Sequence, residues 1–421
     1  MTTASWDTSP LNEPRRKIAK IKLPAQAQNW EVAFVAIWFA LTATLMPGLE
    51  LLRYACLLTF ICSSAYHWKY LLRFSRTLWF LLLFPAWVIL SSMWSPSGQA
   101  LRFGLMHAVD IIAILYIALR LSPQQIIKAL FYGYLFVGFL VFMHLPELDR
   151  SYSSDAFSEK NMLGNRVFYL YAASLYILLD KKSHILERSL AGILVIPSFY
   201  SIFVVESTTN FILAIITTVV LCAVTFLWTK IRQIQSGRLI MIVFGTVMTL
   251  ILALLLLSLT QSPIDIVLEA LDKDTTLTGR TTLWEDARRL ISQNPVIGLG
   301  AEGFWQIGRG DAESIMMDQG KEQGTRFSFH NSYLEIMVHL GILGLVFMLI
   351  PLTFIIYRVI KNWVSKQDLT ASFFAVICCV TLLSSITESD LNNVFAINKV
   401  MLFLAGLNSI SYRKAYIEKA P

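Results

Sequence analysis

Apolar residues in this chain fall into long runs divided by short polar connections. Segments such as LIMIVFGTVMTLILALLLLSLT (239–260) and FLLLFPAWVILSSMW (80–94) approach or reach the roughly 20 residues a helix needs to cross a bilayer core. The pattern predicts about twelve transmembrane helices: 30–46, 50–66, 78–93, 104–119, 129–145, 164–179, 189–205, 211–228, 239–260, 332–357, 370–387 and 393–411. Pro47 and Gly48 lie between the first two, which form either two helices or one re-entrant pair. The remaining chain divides into a tail over 1–29, a large loop over 261–331 between the ninth and tenth spans, and a tail over 412–421. Within the loop, TLWEDARRLI places Thr282 as a helix N-cap with Glu285 three residues on, a capping box. Leu283, Ala287, Leu290 and Ile291 follow on one helical face, and Pro295 stops that helix.

Composition agrees with the pattern. Hydrophobic residues make up 56% of the 421 and charged residues 15%, where a soluble domain carries about 25% charged. The fold class expected is an all-α polytopic membrane protein. The polar stretch before the first span and the lack of a small-residue cleavage site after it argue against a cleaved signal peptide. Most of the 35 lysines and arginines, beginning with RRKIAKIK (15–22), fall on one side if both termini are cytoplasmic, which places the long loop outside. The net charge of +7 is then an orientation signal with contact to anionic membrane lipids, and no nucleic acid partner is needed to explain it. Cys56, Cys62, Cys222, Cys378 and Cys379 all fall in predicted spans, without disulfide or zinc spacing.

GLGAEG (298–303) matches the glycine fingerprint of dinucleotide binding. That fingerprint requires a strand before it and a helix after it; no strand precedes this one, so it reads as a glycine-rich hinge over a membrane surface. The loop is acidic, with 7 Lys or Arg against 11 Asp or Glu. Most of its arginines read as salt-bridge partners. Arg280 and Arg288 flank the start and the exposed side of the capped helix, where a guanidinium fork suits a phosphate. His107, Asp110, Glu335, His339 and Lys399 all fall in the outer halves of their spans, and the inner halves hold almost nothing ionisable. Such groups usually face a partner or a wet cavity. Asp110 and Lys399 read either as a structural ion pair or, with the others, as the lining of a polar cavity open to the outside. FSEKNMLGNRV (157–167) adds Lys160, Asn161 and Arg166 at the mouth of the sixth span, and FHNSYLE (329–335) adds His330, Asn331 and Tyr333 where the loop re-enters the membrane. An imidazole at that border is suited to take a proton from a hydroxyl nucleophile.

On these residues the chain resembles the O-antigen ligase and O-antigen polymerase superfamily of bacterial envelope glycosyltransferases. The resemblance rests on GRTTLWEDARRLISQNPVIGLGAEGFW (279–305) followed by HNSYLEIMVHLGILGLVFML (330–349). SSMWSPSGQALRFG (91–104) and KNMLGN (160–165) are similar to the exopolysaccharide polymerase branch. It implies a membrane-embedded type-C glycosyltransferase of the inner membrane with a periplasmic active site and a metal-independent reaction that uses no cofactor. The implied donor is an undecaprenyl-diphosphate-linked glycan, and the implied acceptor is a lipid-linked glycan for a polymerase or lipid A core for a ligase. A chain-length regulator is an implied partner of the polymerase. By position, His330 would be the base or the group orienting the acceptor, and Arg280 would stabilise the departing diphosphate. Lys160, Asn161, Arg166, Arg288, Asn331 and Tyr333 are candidate substrate contacts. Family members often carry a basic residue in the turn read here as ESTTN (206–210), which has none; Arg166, Lys160 and Arg288 are the candidates to replace it. The competing reading from another class is a secondary transporter, whose inverted repeats are not evident.

Overall fold

The computed structural model describes residues 27–44, 48–69, 71, 78–144, 160–205, 207–227, 280–322, 324, 327–366 and 368–408. The ninth predicted span, the first part of the long loop, residues 1–26 and the C-terminal tail lie outside these. The described elements are helical throughout. They are α1 (Asn29–Ala43), α2 (Glu50–Tyr66), α3 (Leu83–Ser91, preceded by a 3₁₀ turn Trp79–Leu82), α4 (Ala100–Arg120), α5 (Pro123–His144), α6 (Lys160–Leu179), α7 (Ile185–Val204), α8 (Thr208–Cys222, continued by a π turn Ala223–Leu227), α9 (Arg280–Gln293), α10 (Gly310–Asp318), α11 (Ser332–Lys366), α12 (Leu369–Thr387) and α13 (Ile397–Asn408). Seven of them are long and apolar enough to cross a membrane. The protein is an all-α polytopic membrane protein.

Eleven of the predicted spans coincide with these helices, and α1 and α2 are separate helices. Several ends extend beyond the apolar runs because polar residues continue the helix. α5 starts at Pro123 rather than 129, where a proline's missing N–H costs nothing at the first helical position. α7 starts at Ile185 because His184 and Glu187 form a reciprocal cap, Leu186 N donating to His184 Nδ1 and His184 N to the Glu187 carboxylate.

At the centre lies α13, buried along almost its whole length. It is mostly apolar, as a helix enclosed by others must be, with Asn398 and Lys399 as buried exceptions, and it packs on α4, α11 and α12. A second layer is built around α6, which contacts α5, α7 and α8. The long loop has a small core of its own: Leu283, Ala287 and Leu290 of α9 meet Ala312, Ile315 and Met316 of α10 with Phe304, Phe327 and Phe329. The expected apolar face of α9 is thus present, but its start is different. α9 begins at Arg280, so Thr282 lies inside the helix rather than capping it, and its hydroxyl accepts from Gln319 Nε2 at 3.3 Å.

The glycine-rich turn has a structural task. Gly341 stands at φ 66°, ψ −170° and breaks α11 after Leu340, freeing carbonyls above it and N–H groups below. The turn after α9 takes these up. Leu299 N and Gly300 N donate to Val338 O and His339 O at 3.0 and 2.7 Å, while Ile342 N and Leu343 N donate to Pro295 O and Val296 O at 2.9 and 3.3 Å. Trp87 Nε1 donates to Leu340 O at 3.0 Å. The approach is so close that a Cβ on Gly298 would stand 2.5 Å from the His339 carbonyl, and one on Gly341 would stand 2.2 Å from Val296 O.

Candidate active site

Four separate segments meet at the end of the bundle that carries the long loop, and they meet on Glu388. α12 stops at Thr387, and Glu388 leaves it in extended conformation (φ −143°, ψ 154°), its N–H still bonded to Ser384 O. Ser332 Oγ donates to its carbonyl at 2.7 Å, tying it to the start of α11. The carboxylate then reaches three of the candidates named from sequence. Arg280, the first residue of α9, donates from Nη2 to Oε1 at 2.9 Å. Asn161, in the first turn of α6, donates from Nδ2 to the same oxygen at 3.0 Å. His330 Nδ1 faces Oε2 at 3.3 Å. The side chains of Arg280, His330 and Glu388 keep 14%, 17% and 25% of their surface, so the cluster is shielded but open to a substrate.

Each partner is held by its own local structure. Gly164 lets Ser207 and Asn210 approach α6, since a Cβ there would meet both at 2.7–2.9 Å. The 206–210 turn therefore packs directly beside Asn161, with Ser207 Oγ 3.4 Å from Asn161 Oδ1; Glu206 and the side chain of Thr208 lie outside the described residues. His330 adopts φ 47°, a left-handed conformation costly for a residue with a Cβ and commonest where function requires it. Its neighbours enforce that conformation. Phe329 N donates to Glu335 Oε2 at 2.7 Å, Trp284 Nε1 to Phe329 O at 3.0 Å, and Trp305 Nε1 to Glu335 Oε1 at 3.0 Å.

The electrostatics follow from this geometry. Burial alone would raise the Glu388 carboxyl, but the imidazole of His330 and the guanidinium of Arg280 hold it below the ordinary value of 4.5. Asp390, two residues on and bonded to Asn398 Nδ2, is pushed the other way, by burial first and by the charge of Glu388 second. A carboxylate accepting from His330 Nδ1–H leaves Nε2 as the free acceptor of a proton. Among the described residues no three His, Cys, Asp or Glu side chains gather where they could hold a metal ion.

The remaining candidates are dispersed. Arg166 lies on α6 beyond Asn161, donating to Asn165 Oδ1 and Ala43 O, both at 3.1 Å. Lys160 begins α6, its side chain outside the described set. Arg288 is exposed on α9, eight residues and so about 12 Å along the helix from Arg280. Asn331 is the N-cap of α11, its Oδ1 accepting from Tyr333 N and Leu334 N, and Tyr333 OH pairs with Ser385 Oγ at 2.9 Å. The expected polar cavity resolves into two closed groups. Lys399 pairs with Asp110 at 2.7 Å, beside His107 Nδ1 at 3.5 Å. Glu335 pairs with His339 at 3.1 Å and fastens the loop. The opposite end of the bundle is also less bare than expected: buried Glu31 takes two hydrogen bonds from Arg120 at 2.7 Å and one from Tyr116 at 2.9 Å. Glu388 itself escapes a reading of the sequence, because SSITESDLNN (384–393) is an ordinary polar connection whose two carboxylates match no motif.

Comparison with known proteins bears on this arrangement. A family model described as O-Antigen ligase matches residues 193–349, which include Arg280 and His330. The exopolysaccharide production protein ExoQ of Rhizobium meliloti (strain 1021) is 24% identical over 360 residues, covering 82% of this chain and 80% of that protein. An uncharacterised protein of Haemophilus influenzae is 26% identical over 136 residues, 32% of this chain and 33% of its own length. Together these matches support a relation of the chain to the O-antigen ligase and polymerase superfamily.

Proposed function

We propose that the protein polymerises undecaprenyl-diphosphate-linked oligosaccharide units on the periplasmic face of the bacterial inner membrane, with both termini cytoplasmic. The observation that carries this reading is the convergence of Arg280, His330 and Asn161 on Glu388. Glu388 orients the His330 ring so that Nε2 accepts the proton of a sugar hydroxyl. The hydroxyl oxygen bonds to the anomeric carbon from the face opposite the diphosphate, the carbon–oxygen bond to the diphosphate breaks, and the configuration inverts. The electron pair leaves on the diphosphate, whose charge Arg280 stabilises by exchanging its bond from Glu388 to a phosphate oxygen. Because a diphosphate already leaves well, electrostatic stabilisation of this kind substitutes for a metal ion. Arg166, Lys160 and Arg288 are the candidates to supply a second contact in place of the basic residue missing from the 206–210 turn. KNMLGN (160–165) is what favours polymerisation over ligation, and a relative named for exopolysaccharide production is compatible with it. The description of the family model keeps transfer to lipid A core as the second reading.

The test is a reconstituted reaction with purified protein and lipid-linked donor in EDTA. The expected product is a ladder on the lipid carrier, lost in Arg280→Ala and His330→Ala. Transfer to added lipid A core without a ladder would make the protein a ligase. Absence of transfer to either acceptor would remove the glycosyltransferase reading and return transport to consideration. His330→Gln retains substantial activity only if the residue orients the acceptor rather than taking its proton.

A further inference from the structure

The turn that fills the break in α11 also reveals how deep the long loop reaches. α3 supplies the ruler. At its end, Ser91 Oγ accepts from Ala301 N at 3.0 Å, so Ala301 sits at the helix terminus. Trp87 lies one turn earlier, about 6 Å deeper at 1.5 Å per residue, and it bonds Leu340 O. Pro295 and Val296 are bonded to Ile342 and Leu343, which continue α11 further from the loop end. The chain therefore leaves α9, descends at least one helical turn below the end of α3, and climbs back to Ala301.

At that depth the surroundings are apolar. Val296 and Ile297 are 53% and 41% exposed, and on α3 and α11, the two helices to which this part of the loop is bonded, Leu90, Ile342 and Val346 are 46%, 41% and 41% exposed. These side chains continue the outward surface of the membrane-spanning helix α11 and of the shorter apolar helix α3. Irregular backbone at membrane depth is tolerated only where its polar groups are satisfied by protein, and the bonds to α11 supply this for the carbonyls of Pro295 and Val296. We infer that residues 295–297 form a re-entrant turn whose Val296 and Ile297 side chains lie among bilayer acyl chains in the leaflet on the loop's side. The turn would pin α9 at both ends, Arg280 at Glu388 and Pro295–Val296 in the broken helix, fixing the height of the guanidinium relative to the lipid headgroups.

The inference is tested with the full-length protein in vesicles of phosphatidylethanolamine and phosphatidylglycerol. Benzoylphenylalanine is placed at Ile297, at Ile193 on the exposed face of α7, and at Met317 on α10. Irradiation is expected to give phospholipid adducts at 297 comparable to those at 193 and several-fold above those at 317. Adducts at 297 no more frequent than at 317, or adducts to a second protein chain in place of lipid, would overturn it. Carbene footprinting of the unmodified protein provides the second measurement. A bilayer-partitioned diazirine should label 296–297, and labelling there only by a water-soluble diazirine would overturn the inference.

Discussion

Glu388 receives a guanidinium, an amide and an imidazole from three different segments, so its carboxylate determines where each of them points. In Glu388→Gln the side chain keeps its size, but an amide facing Nδ1 would favour the wrong imidazole tautomer. The expected result is a fall in kcat of about 10²-fold or more with little change in KM, read from initial rates of glycan transfer; a raised KM at unchanged kcat would mark a binding contact instead. The same carboxyl has a pH signature. Because its value in the folded protein is lowered, the stability it contributes is present above the unfolded value of about 4.3 and is lost as pH falls through the folded value. Thermal stability of the wild type should therefore fall more steeply than that of Glu388→Gln below about pH 4.3, and should not differ in slope near neutrality. Arg280 and His330 could be singled out as candidates because each sits in a distinctive local pattern. Glu388 could not, since what sets it apart is its partners, 58 and 108 positions away.

Among the elements, the broken helix α11 and its turn depend on backbone groups that only glycine leaves accessible. Gly341→Ala would put a methyl group against Val296 O and force an alanine to φ 66°. A loss of at least about 1–3 kcal/mol is expected from the backbone strain alone, seen as a lower unfolding temperature in detergent. Gly308→Ala, also at positive φ but with nothing within 4 Å of its Cβ, should cost less. The apolar runs made the spans legible, and the α9 face was readable from its 3.6-residue period. The partner of the fingerprint-like glycines was hidden, because the bond from Gly300 N to the His339 carbonyl, 39 residues later, leaves no mark on local pattern. Helix ends were misplaced for a simpler reason: capping side chains extend a helix past its apolar run.

Across the whole molecule, buried charges tie together helices far apart in the chain. Asp110 on α4 and Lys399 on α13 are 1% and 3% exposed, and removing one leaves the other charged and unpaired. Asp110→Asn is expected to lower stability by about 3–5 kcal/mol, and Asp110→Asn combined with Lys399→Met should recover much of that loss in the same thermal assay. A double variant less stable than the single one would show that the lysine has a role beyond the pair. The sequence offered this pairing as one of two readings; it offered no sign of the pair at the other end, because Glu31 sits at the edge of its span and reads as a boundary residue. That second pair bears on how the protein is made. Glu31 is synthesised in α1, and its partner Arg120 arrives only at the end of α4. During translation the first helix therefore carries the Glu31 carboxylate, bonded to Gln28 N of its own cap but without its cation, through the emergence of the next two, a burden at the membrane that is relieved when α4 docks. Release of α1 from the insertion machinery into the bilayer is therefore expected to wait for the fourth helix, so that crosslinks of α1 to that machinery should persist longer in Arg120→Ala than in the wild type.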